Sequence, residues 1–227
     1  MSDLVSTTLE QHHTFIAMDD GKVNALSFDM LQQINTALDQ AREAGKVVIL
    51  AGRPGKFSAG FDLSVMGQGG DAMLDLLRQG AALSQRLLNF ETPVILAVSG
   101  HALAMGALTL LSADYRIGIN GNYKIGLNEV AIGMTLPLFG VELARARLDS
   151  AHLNNAVGLA HLYDAVGAAE VGFLDEAVDE ASLMPRAIAM AEQLAALDME
   201  AHKNTKGRVR APLNAALAQA LEQELGN

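Results

Sequence analysis

Apolar positions recur along this chain at two periods, and the switching between them predicts alternating strands and helices. Residues 14–18 read as a strand followed by the turn signal Asp20-Gly21. Ser27 is placed to cap a helix running to about Ala44. Leu31, Ile34, Leu38 and Ala41 recur there at helical spacing, and Gly45 stands where a C-terminal glycine belongs. Residues 47–51 are continuously apolar, as in a strand covered on both faces. The same reading gives a helix over about 71–88, a strand at 94–98, a helix over about 105–112 and a strand at 115–119. Beyond about Glu142 the pattern is helical, near 142–148, 151–159, 182–197 and 211–225. The prediction is an α/β chain: a mainly parallel sheet with helical cover in residues 1–141, then a helical tail in 142–227.

Composition narrows the function. Half of the 227 residues are hydrophobic and 19% are charged, which supports a large core and excludes wholesale disorder. The absence of cysteine removes disulfides, thiolate metal ligands and a cysteine nucleophile. A formal charge of −10, with 4% aromatics and no tryptophan, argues against nucleic-acid binding. No run reaches membrane-spanning length, and the first residues resemble no targeting segment, so a soluble cytoplasmic protein is expected. The six histidines are scattered, and His12 and His13 would face opposite sides of a strand; no metal site is expected.

Common catalytic and nucleotide motifs (GxGxxG, the P-loop, HExxH, GxSxG) are missing. Two other segments carry chemistry. Residues 51–63, AGRPGKFSAGFDL, follow a buried strand with three glycines; residues 98–108, VSGHALAMGAL, place small residues between a strand and a helix. Glycines let backbone approach a ligand, and a helix start offers unpaired N–H groups. Two such N–H groups aimed at one oxygen would form an oxyanion hole. The plainer alternative is that both are tight turns packing helix on sheet. A triad of Ser58, His101 and Asp62 is a remote further option, because nothing in the sequence fixes its geometry.

With VNALS at 23–27, KFSAGFDL at 56–63, PVILAVSGHALAMGALTLLSADYRI at 93–117, YKIGLNEVAIGM at 123–134 and GFLDEAVD at 172–179, the chain resembles the crotonase superfamily of enoyl-CoA hydratases and isomerases. The resemblance spans about residues 23–206, and ADYRI followed by IGLNE looks most like the Δ3,Δ2-enoyl-CoA isomerases. It implies a ββα spiral core with a C-terminal helical region. It also implies an acyl-CoA substrate, no cofactor beyond that coenzyme A, and a homotrimer or hexamer. The tail would serve trimerisation and cover the nucleotide. By the same resemblance the oxyanion donors are the backbone N–H groups of Phe61 and Met105, and the Met105 side chain would narrow the pocket. Gly106 completes the trio opening the helix. Asn24, Ala25, Ala59, Gly60, Asp62 and Leu63 would line the substrate, and Lys206 would approach its nucleotide. The chain is shorter than typical members and is expected to lack their last helical segment.

Hydratases of this superfamily use two glutamates. The second matches Glu129, but the position of the first is occupied by Leu108. Water addition needs two carboxylates to share the water and proton work, and leucine can do neither. Moving a double bond needs one base, and an apolar wall at Leu108 would raise the pKa of Glu129 toward a useful value. The expectation is therefore an enoyl-CoA isomerase using Glu129. Another crotonase reaction, such as hydration, or a non-catalytic acyl-CoA binder, is the alternative. The segment 66–70 and the helix after it are expected to shape the acyl pocket.

Overall fold

The computed structural model describes residues 3–226. A six-stranded sheet runs in the order β1 (Val5–Leu9), β2 (His13–Met18), β3 (Val47–Ala51), β5 (Val94–Val98), β7 (Tyr115–Ile119), β9 (Glu176–Val178). Only the β1–β2 pair is antiparallel. A second, three-stranded parallel sheet holds β4 (Gly55–Ser58), β6 (Gly100–Leu103) and β8 (Ile125–Gly126). Three times, then, the chain leaves a long strand of the first sheet, makes a short strand of the second, and enters helical backbone. This is the ββα spiral. The helices after β4 are α2 (Leu63–Met66) and α3 (Gly70–Leu88); α4 (Met105–Leu111) follows β6. After β8 come a 3₁₀ turn at Val130–Ile132 and α5 (Leu138–Arg147).

The apolar runs form two-faced strands, as their sequence predicts. Val48, Leu50, Val94, Leu96 and Val98 join the main core with α1 (Phe28–Ala44), α3, α4 and α5. Val47, Ile49, Ala51, Ile95 and Ala97 turn the other way, beneath α8 (Leu183–Ala195). α1 begins on Ser27, whose Oγ accepts the Met30 N–H, and ends on Gly45 at φ 64°.

The short strands and the tail depart from the reading by periodicity. β4, β6 and β8 lie in segments read as loops, because two to four residues rich in glycine show no period. Glycine is required where β4 pairs with β6: a Cβ on Gly100 would lie 2.0 Å from the Gly55 carbonyl carbon. The tail contributes β9 as well as α6 (Leu153–Val157), α7 (Ala165–Val171), α8 and α9 (Met199–Leu225). α9 starts twelve residues before the predicted 211, at the cap of Asp198, and continues through Pro212. Its first half hid from hydrophobic periodicity because the residues it buries there are Lys206 and Arg210. No helix among the described residues is long and apolar enough to cross a membrane.

Candidate active site

A cavity of about 150 Å³ opens where the glycine-rich segments meet the turn after β8. Its walls include Ala59 and Phe61 after β4, Leu63 and Met66 of α2, Leu77 of α3, Ala104 and Leu108 around the start of α4, and Asn128, Glu129 and Met134 of the turn. Leu63, 68% exposed, stands at the rim, whereas Leu108 is fully buried.

The turn fixes the Glu129 backbone and leaves its side chain free. The Glu129 carbonyl accepts the N–H groups of Ile132 and Met134 at 3.0 and 2.9 Å, with Gly133 left-handed at φ 78° between them. The side chain is buried, and its Oε2 has no hydrogen-bond partner. Burial pushes the carboxyl up to about 7, opposed only by its own backbone N–H. Asn128 Oδ1 is a second buried acceptor without a partner in the same wall. Two orphaned acceptors facing one cavity are a cost that folding alone does not explain.

The backbone leading into Phe61 passes close to the start of α4 at Gly60. Gly60 sits at φ 95°, and a Cβ there would lie 2.8 Å from Ala104 Cβ and 3.2 Å from the Met105 nitrogen. Leu26 brackets the first donor: its N–H bonds the Gly60 carbonyl at 2.8 Å and its carbonyl accepts from Asp62 at 3.3 Å. That bridge skips the Phe61 N–H. The Met105 N–H stands in the first turn of α4, where no intrahelical acceptor exists. Ala104, just before it, holds φ 51° and ψ −125°, a conformation that strains any residue but glycine.

Other candidate residues serve the scaffold. Asn24, buried at φ 51°, donates its amide to the Met18 and Phe57 carbonyls, and its carbonyl accepts from Ser58 Oγ. The Ala25 N–H bonds Asp20 Oδ2. Asp62 caps α2 through the Ser64 N–H and hydroxyl. Gly106 lets α4 press on β4, since a Cβ there would be 2.5 Å from the Ser58 carbonyl oxygen. The triad does not assemble: Ser58 bonds Asn24, His101 Nδ1 accepts the Lys124 N–H, and Asp62 holds Ser64. Two expectations are revised. The Met105 side chain does not narrow the cavity; it is buried toward α3, where Gly80 leaves room for it. Lys206, expected to approach the nucleotide, is turned inward instead. Its Nζ is buried 2.6 Å from Asp114, beyond the opposite end of α4. The ammonium is held inside the protein by the Asp114 carboxylate.

The match to the enoyl-CoA hydratase/isomerase family model covers residues 10–227. The chain belongs to that family. It is 28% identical to human mitochondrial enoyl-CoA delta isomerase 1 over 90% of this chain and 70% of that one. It is equally 28% identical to a probable enoyl-CoA hydratase of Rhizobium meliloti, over 89% and 79%. Among solved structures, an enoyl-CoA hydratase/isomerase family protein from Pseudomonas syringae superposes with a TM-score of 0.97 at 46% identity, covering 98% of this chain and 97% of that one. The crotonase fold and membership of an acyl-CoA enzyme family are thereby established, and isomerase and hydratase names both occur among the relatives.

Proposed function

We propose that this family member shifts the double bond of a 3-enoyl-CoA to the 2-position, with Glu129 as its single acid–base group. One observation carries the reading: among the described residues lining the cavity, Glu129 has the one ionisable side chain, and Leu108 faces the same space. The Glu129 carboxylate takes a proton from C2. The electron pair moves onto the thioester oxygen as a dienolate, which accepts hydrogen bonds from the N–H groups of Phe61 and Met105. Glu129 then delivers the proton to C4, and the pair returns to form the C2–C3 double bond. Nothing is added or lost. Ala59 and Leu63 form the entry for the thioester arm, and Leu108 with Met66 and Leu77 lies along the acyl chain.

The apolar walls suit a base that must be desolvated and titrate near neutrality. The catalytic form is the carboxylate, so kcat/KM rises with pH and levels off above the Glu129 pKa of about 7. A pH–rate profile with one acidic limb of unit slope is the expected result. Incubation with a medium-chain 3-enoyl-CoA in D₂O, read by mass spectrometry and NMR, tests the chemistry. A 2-enoyl thioester without added water is expected; a 3-hydroxyacyl product overturns isomerisation. Hydration is the second reading, favoured by the orphaned Asn128 Oδ1 beside Glu129, which could hold a water between them.

A further inference from the structure

The buried stripe of α3 contains Leu76, Leu77, Leu83, Leu87 and Leu88, but at Gly80 and Ala81 it narrows to two small residues. Glycine is a poor choice inside a nineteen-residue helix. Gly80 caps no terminus and has no left-handed backbone to explain it. What lies against it does. A Cβ on Gly80 would stand 2.3 and 2.5 Å from Phe61 Cζ and Cε1, and 3.4 Å from Met105 Cε. The pit in α3 thus receives the side chains of Phe61 and Met105, whose backbones pass close to each other at Gly60.

We propose that Gly80 is a positioning residue: the bare backbone it leaves in α3 seats the Phe61 ring beside Met105 and so sets the aim of the two N–H groups. The inference rests on the oxyanion role given above to those groups. Ordinary contact begins near 3.4 Å, so a methyl at position 80 forces the ring tip to retreat by about 1 Å; a shift of that size carried through to the N–H costs about a hundredfold in rate. The ring is tethered to a residue held on both sides by the Leu26 bridge, so its retreat pulls on the Phe61 N–H.

The test uses acetoacetyl-CoA, whose bound enolate absorbs in the near ultraviolet and reports the oxyanion site without turnover. Gly80→Ala is expected to lose most of that absorbance and to lower kcat by about 10- to 100-fold, with KM for the enoyl-CoA within a few-fold of wild type. Phe61→Leu keeps the N–H and removes Cε and Cζ. The double variant Gly80→Ala/Phe61→Leu should therefore recover the enolate signal and kcat to the level of Phe61→Leu alone, including if Gly80→Ala by itself fails to fold. A Gly80→Ala variant with wild-type absorbance and kcat overturns the proposal. So does a double variant that stays silent or unfolded. Wild-type protein that ionises acetoacetyl-CoA without moving a double bond would sink the isomerase reading and leave Gly80 standing. Wild-type protein that never forms the enolate would remove the oxyanion role itself.

Discussion

Replacing Glu129 by glutamine should abolish nearly all turnover and make the protein more stable at alkaline pH. On activity, loss of the acid–base group proposed above should cost about a thousandfold in kcat, as for general bases elsewhere. Affinity for the CoA thioester should hold, because glutamine keeps the shape of glutamate. On stability, the sign follows from proton counts. The folded carboxyl titrates at about 7 and the unfolded one near its ordinary 4.5. Between those values the folded state holds the extra proton, so stability declines as pH rises through this window and stays lower above it. The deficit is on the order of 3 kcal/mol for a side chain buried as Glu129 is. Glutamine carries no such deficit. Thermal unfolding of Glu129→Gln at pH 8 should therefore lie about 5 °C or more above wild type, and the gap should close at pH 4. A variant that loses activity and gains no alkaline stability would show that Glu129 does not titrate in an apolar wall. An active variant would end the single-base reading.

That trade locates what was legible in the sequence. The long strands and α1 could be read because burial there follows hydrophobicity: Val47–Ala51 is apolar at every position and buried at every position. The family motifs pointed to Phe61, Leu108 and Glu129, and the structure brings all three to one cavity. Illegible were features whose physics runs against hydrophobicity. β4, β6 and β8 are too short for a period, and where β4 meets β6 the backbones approach so closely at Gly55 and Gly100 that no side chain fits. The seat at Gly80 is a missing side chain, visible only once Phe61 is placed against it. Nothing in the charge of Lys206 or Arg210 announces burial, and both are inside. A signal did exist for the last pair: Lys206 and Arg210 lie four apart and continue at helical spacing to Leu213 and Leu217, so charge occupies a core stripe.

The carboxylate that makes this burial tolerable is Asp114, and Asp114→Ala should be strongly destabilising although it lies outside the cavity. Asp114 Oδ2 accepts from Lys206 Nζ at 2.6 Å and from the Val94 N–H at 2.8 Å; its Oδ1 accepts from Arg210 at 2.8 Å. It thereby ties the start of β5 and the end of α4 to the first half of α9. Lys206 and Arg210 keep only 5% and 10% side-chain exposure. Removing the anion leaves two buried cations facing each other, with Arg147 adding to the repulsion on Lys206. Breaking a buried pair in this way costs about 3–5 kcal/mol, equivalent to a Tm lower by about 10 °C. Lys206 sets the pH dependence. Desolvation already outweighs the pull of Asp114 and brings the ammonium down to about 8. Losing Asp114 lowers it further, toward release of its proton at neutral pH. The folded variant then binds fewer protons than its unfolded state over a wider range, so its stability rises with pH more than that of wild type. The deficit should be larger at pH 6 than at pH 9. Asp114→Ala/Lys206→Met should regain part of the loss by removing one of the stranded charges. Melting curves of the three proteins at both pH values decide it. Equal deficits at pH 6 and pH 9 would mean that α9 is held by packing of Leu217 and Leu225 rather than by the charges at its buried start.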